Sequence, residues 1–139
     1  MNNKEYTQAV ENKEYPNTPV VPIDHKYEDE RGVINNLLHT PITSIARLTS
    51  KAGTERANHW HKYNAHYTYV VSGEIEYWER PLDGDAQPQK WTFKAGEMFY
   101  TRPRVIHKMV FHVDTVFLTF APELKDHDSY EDDVVRVKF

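Results

Sequence analysis

The chain has 139 residues, of which 39% are hydrophobic and 27% charged, and its formal net charge is −4. That favours one globular domain with a real core and argues against nucleic-acid binding by bulk electrostatics. The absence of cysteine excludes disulfides, thiolate metal sites and a cysteine nucleophile.

Taken in chain order, residues 1–22 read as an N-terminal arm. They are polar, and Pro16, Pro19 and Pro22 interrupt any helix longer than a short one over residues 4–12. The arm is expected to be disordered or to pack on a partner subunit. Its first fifteen residues lack the apolar core of a secretory signal. No apolar run approaches the ~20 residues of a membrane span. A cytoplasmic protein with no membrane partner is the expectation.

Residues 23–139 read as one all-β domain. Strands are expected over residues 33–38, 44–48, 67–71, 75–79, 91–93, 98–101, 107–113 and 115–120. Turns at Gly32, Gly53 and Gly73 and the loop after Pro81 separate them. Short strands at this spacing, without a long amphipathic helix, predict a sandwich or barrel. The tail, residues 123–139, starts acidic and ends in a stretch that reads as an edge strand or docking segment.

The chemistry concentrates in the histidines, eight in all. His59 and His61 are two apart, so on a strand they face the same side and can chelate one ion. His66 follows a bend expected at residues 62–65 and opens the next strand, a route that can return a third ring to the same point. His107 must arrive through the tertiary fold.

These residues resemble the two motifs of the cupin superfamily. Gly53, His59, His61 and Gly73 fall at first-motif positions, with His66 where the family has Glu. Gly96 and His107 match the second motif, whose Pro, Gly and Asn positions carry Arg102, Arg104 and Phe111. The resemblance implies a double-stranded β-helix, or jelly roll, with a metal bound by His59, His61, His66 and His107. Exchanging Glu for His66 leaves the ion's charge uncompensated and favours an anionic ligand. Nitrogen ligation suits Fe, Mn, Ni, Zn or Cu rather than Mg or Ca.

Strand parity places Thr68 and Val70 with His66, and Met109 and Phe111 with His107, as candidate walls of a substrate pocket. Tyr67, Tyr69 and Val71 then face outward, as a dimer interface, a seat for the arm or a surface under the chain's own loops. A homodimer is expected. Ile75 and Tyr77 should face inward, with Trp60 away from the metal. His25, His39, His112 and His127 match no motif position and read as structural or surface groups. Asp132 and Asp133 read as solvated tail carboxylates, and Arg102 and Arg104 as solvated loop residues.

No catalytic base is identifiable. The leading expectation is a small metal-dependent enzyme of the oxygenase type acting on a small organic substrate. The alternatives are a sugar or nucleotide-sugar isomerase or epimerase of polysaccharide biosynthesis, and a non-catalytic small-ligand-binding barrel. The partner in each case is a small molecule, anionic or carbohydrate.

Overall fold

The computed structural model of the chain describes residues 1–83, 86–122 and 133–139. Its elements are helix α1 (Asn3–Glu11) and strands β1 (Val20–Val21), β2 (Asp24–Asp29), β3 (Gly32–Asn36), β4 (Ser44–Ser50), β5 (Thr54–His61), β6 (His66–Ser72), β7 (Glu74–Arg80), β8 (Gln89–Lys94), β9 (Met98–Thr101), β10 (Ile106–Phe111), β11 (Thr115–Ala121) and β12 (Val134–Arg136). Two five-stranded antiparallel sheets, ordered β1-β9-β6-β11-β4 and β12-β5-β10-β7-β8, face one another, and β2 and β3 form a separate hairpin. The strand pattern predicts a sandwich or barrel, and the architecture is the jelly roll that the family resemblance implies. No helix among the described residues is long and apolar enough to cross a membrane.

The core forms where both sheets turn their alternate apolar residues inward. Val70, Phe99 and Phe117 from one sheet pack with Ile75, Tyr77, Phe93, Met109 and Phe111 from the other. Ile75 and Tyr77 face inward as parity requires, while Glu76 and Trp78 on the same strand are only partly covered. Burying a side chain of this size is worth about 1.5–3 kcal/mol.

The N-terminal residues are more ordered than their composition suggests. Asn2 caps α1 by accepting from the Glu5 amide at 2.8 Å, and Glu5 reciprocates by accepting from the Asn2 amide at 3.0 Å. The helix buries Asn3, Tyr6, Thr7 and Val10, the three- and four-residue spacing of a single face. Tyr6 and Val10 pack with Tyr67, Met98 and Tyr100 on the outer surface of the first sheet. The chain's own helix therefore seats on the outward stripe, with Tyr67 fully buried, while Val71 at its far end stays 46% exposed. The C-terminal stretch does form an edge strand: β12 pairs with β5 in the register Val134 opposite His61 and Arg136 opposite His59.

Candidate metal centre

Three strands bring the histidines together. His59 and His61 sit two apart on β5, and His107 on β10 lies directly opposite His59 in the antiparallel register. That register slips between His107 and Lys108, where Ala57 and Asn58 adopt φ of 77° and 58°. A bulge of this kind spends backbone strain on re-aiming the residues that follow it, and here those are His59 to His61. His59, His61 and His107 each offer a ring nitrogen within 4.8 Å of the others. The His59 ring centroid is 4.7 Å from that of His61 and 4.8 Å from that of His107.

His66, at the start of β6, stands further off, its ring centroid 6.1 Å from that of His61. It lines the same cavity, of about 340 Å³, together with Arg56, Asn64, Met109 and Thr119. Of the four residues expected to wall a pocket, Met109 does so. Thr68, Val70 and Phe111 are instead fully buried. Val70 and Phe111 belong to the packed core, where Phe111 stacks on Phe117 at 5.6 Å. Parity aimed these side chains inward correctly, but toward the filled part of the barrel rather than the open end.

Asp133 requires a correction. The acidic tail suggested a solvated carboxylate, yet Asp133 is 3% exposed. The pairing of β12 with β5 sets it beside His61, and its Oδ2 lies 2.9 Å from His61 Nδ1. Its Oδ1 accepts from the amides of Tyr63 and Asn64, in the connection between β5 and β6. Burial pushes this carboxyl up, but the Tyr63 amide, His61 and the Asn64 amide outweigh it and leave the carboxyl below its ordinary range. Asp133 is the site residue that sequence reasoning missed. Only knowledge that the tail returns as a strand against the His-x-His segment could have found it. Asp132 and His127 lie outside the described residues.

All four histidines are held neutral. Burial lowers His59 to about 4, helped by repulsion from His61 and Arg136, and lowers His66 to about 3, helped by His61 and His59. Burial also takes His107 well below the usual imidazole range, and His61 below it despite the opposing pull of Asp133. The second ring nitrogens are anchored. His107 Nδ1 donates to the Val105 carbonyl at 3.1 Å and His61 Nδ1 donates to Asp133, so Nε2 carries the lone pair in both rings. Neutral imidazoles converging on one point, with other nitrogens tied to a carbonyl and a carboxylate, are a donor set that suits a divalent transition metal. The residues present therefore fit such an ion.

The surroundings shape what else can bind. Among the described residues no carboxylate lines the cavity, and Arg56 is their cationic member, with Nε donating to Ser50 Oγ and Nη2 to the Thr49 carbonyl. Behind His107, Tyr77 donates to Glu79 at 2.9 Å and contacts Thr101 Oγ1 at 3.1 Å. Trp60 is turned outward beneath the Arg104 guanidinium, 5.3 Å from its ring centroid. Arg104 occupies the slot of the second-motif glycine and retains the left-handed backbone expected of one, with φ of 63°. Its amide donates to the His61 carbonyl at 2.7 Å, so the turn is anchored to β5. Arg102 and Arg104 are exposed. His25, His39 and His112 sit away from the cluster, beside Glu28, Asp24 and Glu76 respectively.

Residues 46–120 match the family described as the cupin domain. Among solved structures, the chain is similar to a 3,4-ketoisomerase from Helicobacter canadensis (TM-score 0.69, 16% identity, covering 88% of this chain and 92% of that one). It is also similar to the sugar 3,4-ketoisomerase QdtA from Thermoanaerobacterium thermosaccharolyticum in complex with TDP (TM-score 0.66, 19% identity, 85% and 88%). A third likeness is to the capsular polysaccharide assembling protein CapF from Staphylococcus aureus (TM-score 0.63, 21% identity), of which the match covers 35% against 86% of this chain. The chain thus spans about a third of CapF. No curated protein sequence matches it.

Proposed function

This chain belongs to the cupin family, and from that premise we propose that its histidine pocket is a metal centre acting on a keto-sugar or nucleotide-sugar, as an isomerase or epimerase. The observation that carries the metal is the convergence of His59, His61 and His107 within 4.8 Å. What supports a carbohydrate ligand over an oxidised organic substrate is the likeness to sugar ketoisomerases and a polysaccharide-assembly protein. The cavity agrees in size and charge. At about 340 Å³ it accommodates a monosaccharide unit, and the absence of carboxylates among its described lining residues suits a ligand that carries phosphate.

His59, His61 and His107 would hold the ion. When bound, a divalent metal supplies Lewis acidity to a ligand carbonyl or hydroxyl. The protein's own groups do the rest. Asp133 keeps His61 in one tautomer and orientation. His66, neutral and on the cavity wall, hydrogen-bonds a ligand hydroxyl. Arg56 draws an anionic group to the mouth, and Met109 and Phe117 exclude water from one side.

One observation favours a second reading. A buried histidine hydrogen-bonded to a buried carboxylate is also a general base, and His61 with Asp133 has that form without any metal. The test is proton exchange from a nucleotide-linked 4-keto sugar into deuterated water, followed by NMR, before and after chelation. Exchange at the carbon beside the carbonyl that is lost on chelation supports the metal reading. Exchange that survives in metal-free protein but is lost in Asp133→Asn supports the second. No exchange and no binding contradicts both.

A further inference from the structure

Residues 133–139 run as a strap over the second sheet. Strand β12 pairs with β5 along the sheet's edge, and the Val137 amide extends that pairing by donating to the Asn58 carbonyl at 3.0 Å. The chain then leaves the edge. The Lys138 carbonyl accepts from Arg80 Nη2 at 3.0 Å, and the Phe139 ring meets Trp78 edge-on, with centroids 6.2 Å apart. Lys108 Nζ lies 4.7 Å and Arg80 Cζ 5.5 Å from the centre of the same ring, close enough for cation–π attraction. Lys108 belongs to β10, and Trp78 and Arg80 to β7. The strap therefore passes over β5 and β10 to reach its anchorage.

That anchorage lies across the sheet from the histidines. Lys108 follows His107 on β10 and stands opposite Trp78, and successive residues of a strand point to opposite faces. Tyr77, the neighbour of Trp78, points into the core. Phe139 does not line the histidine cavity, so it can act there only along the strap. The strap's near end is Asp133. Besides its side-chain contacts with His61, Tyr63 and Asn64, its carbonyl accepts from the Lys62 amide at 2.9 Å. Between the two ends β12 has only three residues, the lower limit for a strand. So short an edge element opens locally unless it is tied at both ends.

We propose that Phe139 is a positioning residue for the histidine site: seated among Trp78, Arg80 and Lys108, it holds the strap in register and thereby keeps Asp133 on His61 and on the β5–β6 connection. A contact on one face of the sheet thus governs ring orientation on the other. The expected loss of metal affinity rests on the proposed metal centre, whereas the loosening of Asp133 does not.

The test uses the full chain. Exchange of the Lys62, Tyr63 and Asn64 amides and the imidazole nitrogen shifts of His61 are read by NMR in metal-free protein, and metal affinity by chelator competition. Phe139→Ala should speed exchange at those amides, leave β11 amides unchanged, move the His61 shifts toward a tautomer mixture and weaken metal binding about 10-fold. Phe139→Tyr, which keeps the ring, should behave as the parent. Arg80→Ala removes the hydrogen bond to Lys138 and should loosen the same amides. Asp133→Asn/Phe139→Ala should bind metal no more weakly than Asp133→Asn alone, because Phe139 acts through the group already altered. Unchanged exchange at the three amides in Phe139→Ala, a rise spread equally over β11, or multiplied losses in the double variant would each overturn the proposal. If the parent binds no metal, the metal centre fails by itself, and the amides and His61 shifts still decide the role of Phe139.

Discussion

Asp133 Oδ2 stands 2.9 Å from His61 Nδ1, and both side chains are 4% exposed. The contact joins the residue that leads into β12 to β5 across 72 residues of sequence. It fixes which nitrogen of His61 faces the other histidines. Asp133→Asn keeps the shape but permits the opposite tautomer. Metal affinity, measured by chelator competition, should fall by about 10- to 100-fold, with the fold retained.

His66 and His107 should behave differently on truncation. His107 has a ring nitrogen inside the three-histidine cluster, and His66 stands outside it. His107→Ala should abolish stoichiometric metal binding, while His66→Ala should retain the ion with weakened ligand binding. Isothermal titration with metal and then with a nucleotide-sugar separates the two. Equal loss of metal in both variants would make His66 a full ligand.

The apo protein should lose stability in acid. The depressed values of His59, about 4, and His66, about 3, mean these rings stay neutral when folded. Unfolded imidazoles take up protons below about pH 6.5. Below that pH the unfolded state binds more protons, so stability falls as pH falls, levelling for His59 near 4. Each withheld proton contributes at most about 1.4 kcal/mol per pH unit. Urea midpoints between neutral pH and pH 4 should show the slope, and His59→Ala/His66→Ala should reduce it.

Gly73 joins β6 to β7 at φ of 89°, and a Cβ there would lie 2.4 Å from Thr115 Oγ1 and 2.5 Å from the Asp114 carbonyl oxygen. Backbone on one side and a left-handed conformation on the other leave no cheap adjustment. Gly73→Ala should destabilise the fold by about 2 kcal/mol or more, read from chemical denaturation.

The sequence makes some of this visible and hides the rest for identifiable reasons. Strand parity is local, so it places His59 with His61 and turns Ile75 and Tyr77 inward. The register of β10 against β5 is tertiary, and parity alone cannot bring His107 opposite His59. The motif resemblance supplied that. Parity also cannot say how far down the barrel a side chain sits, which is why Thr68, Val70 and Phe111 are core while Met109 reaches the cavity. Composition misled most at the ends. Polar residues 1–22 do hold the short helix allowed over 4–12, but its apolar face covers the chain's own Tyr67, which a reading of the arm as disordered or packed on a partner does not anticipate. The acidic tail delivers Asp133 to His61 because the return of β12 is a long-range pairing with no local sign.

The central claim is that His59, His61 and His107 hold a metal. Its most direct test is elemental analysis of freshly purified protein beside the His59→Ala/His61→Ala variant, with folding checked by circular dichroism. One divalent transition-metal ion per chain in the parent, and none in the folded variant, is the predicted result. A metal-free parent that takes up no ion on titration, or a variant that keeps a stoichiometric ion, would contradict it.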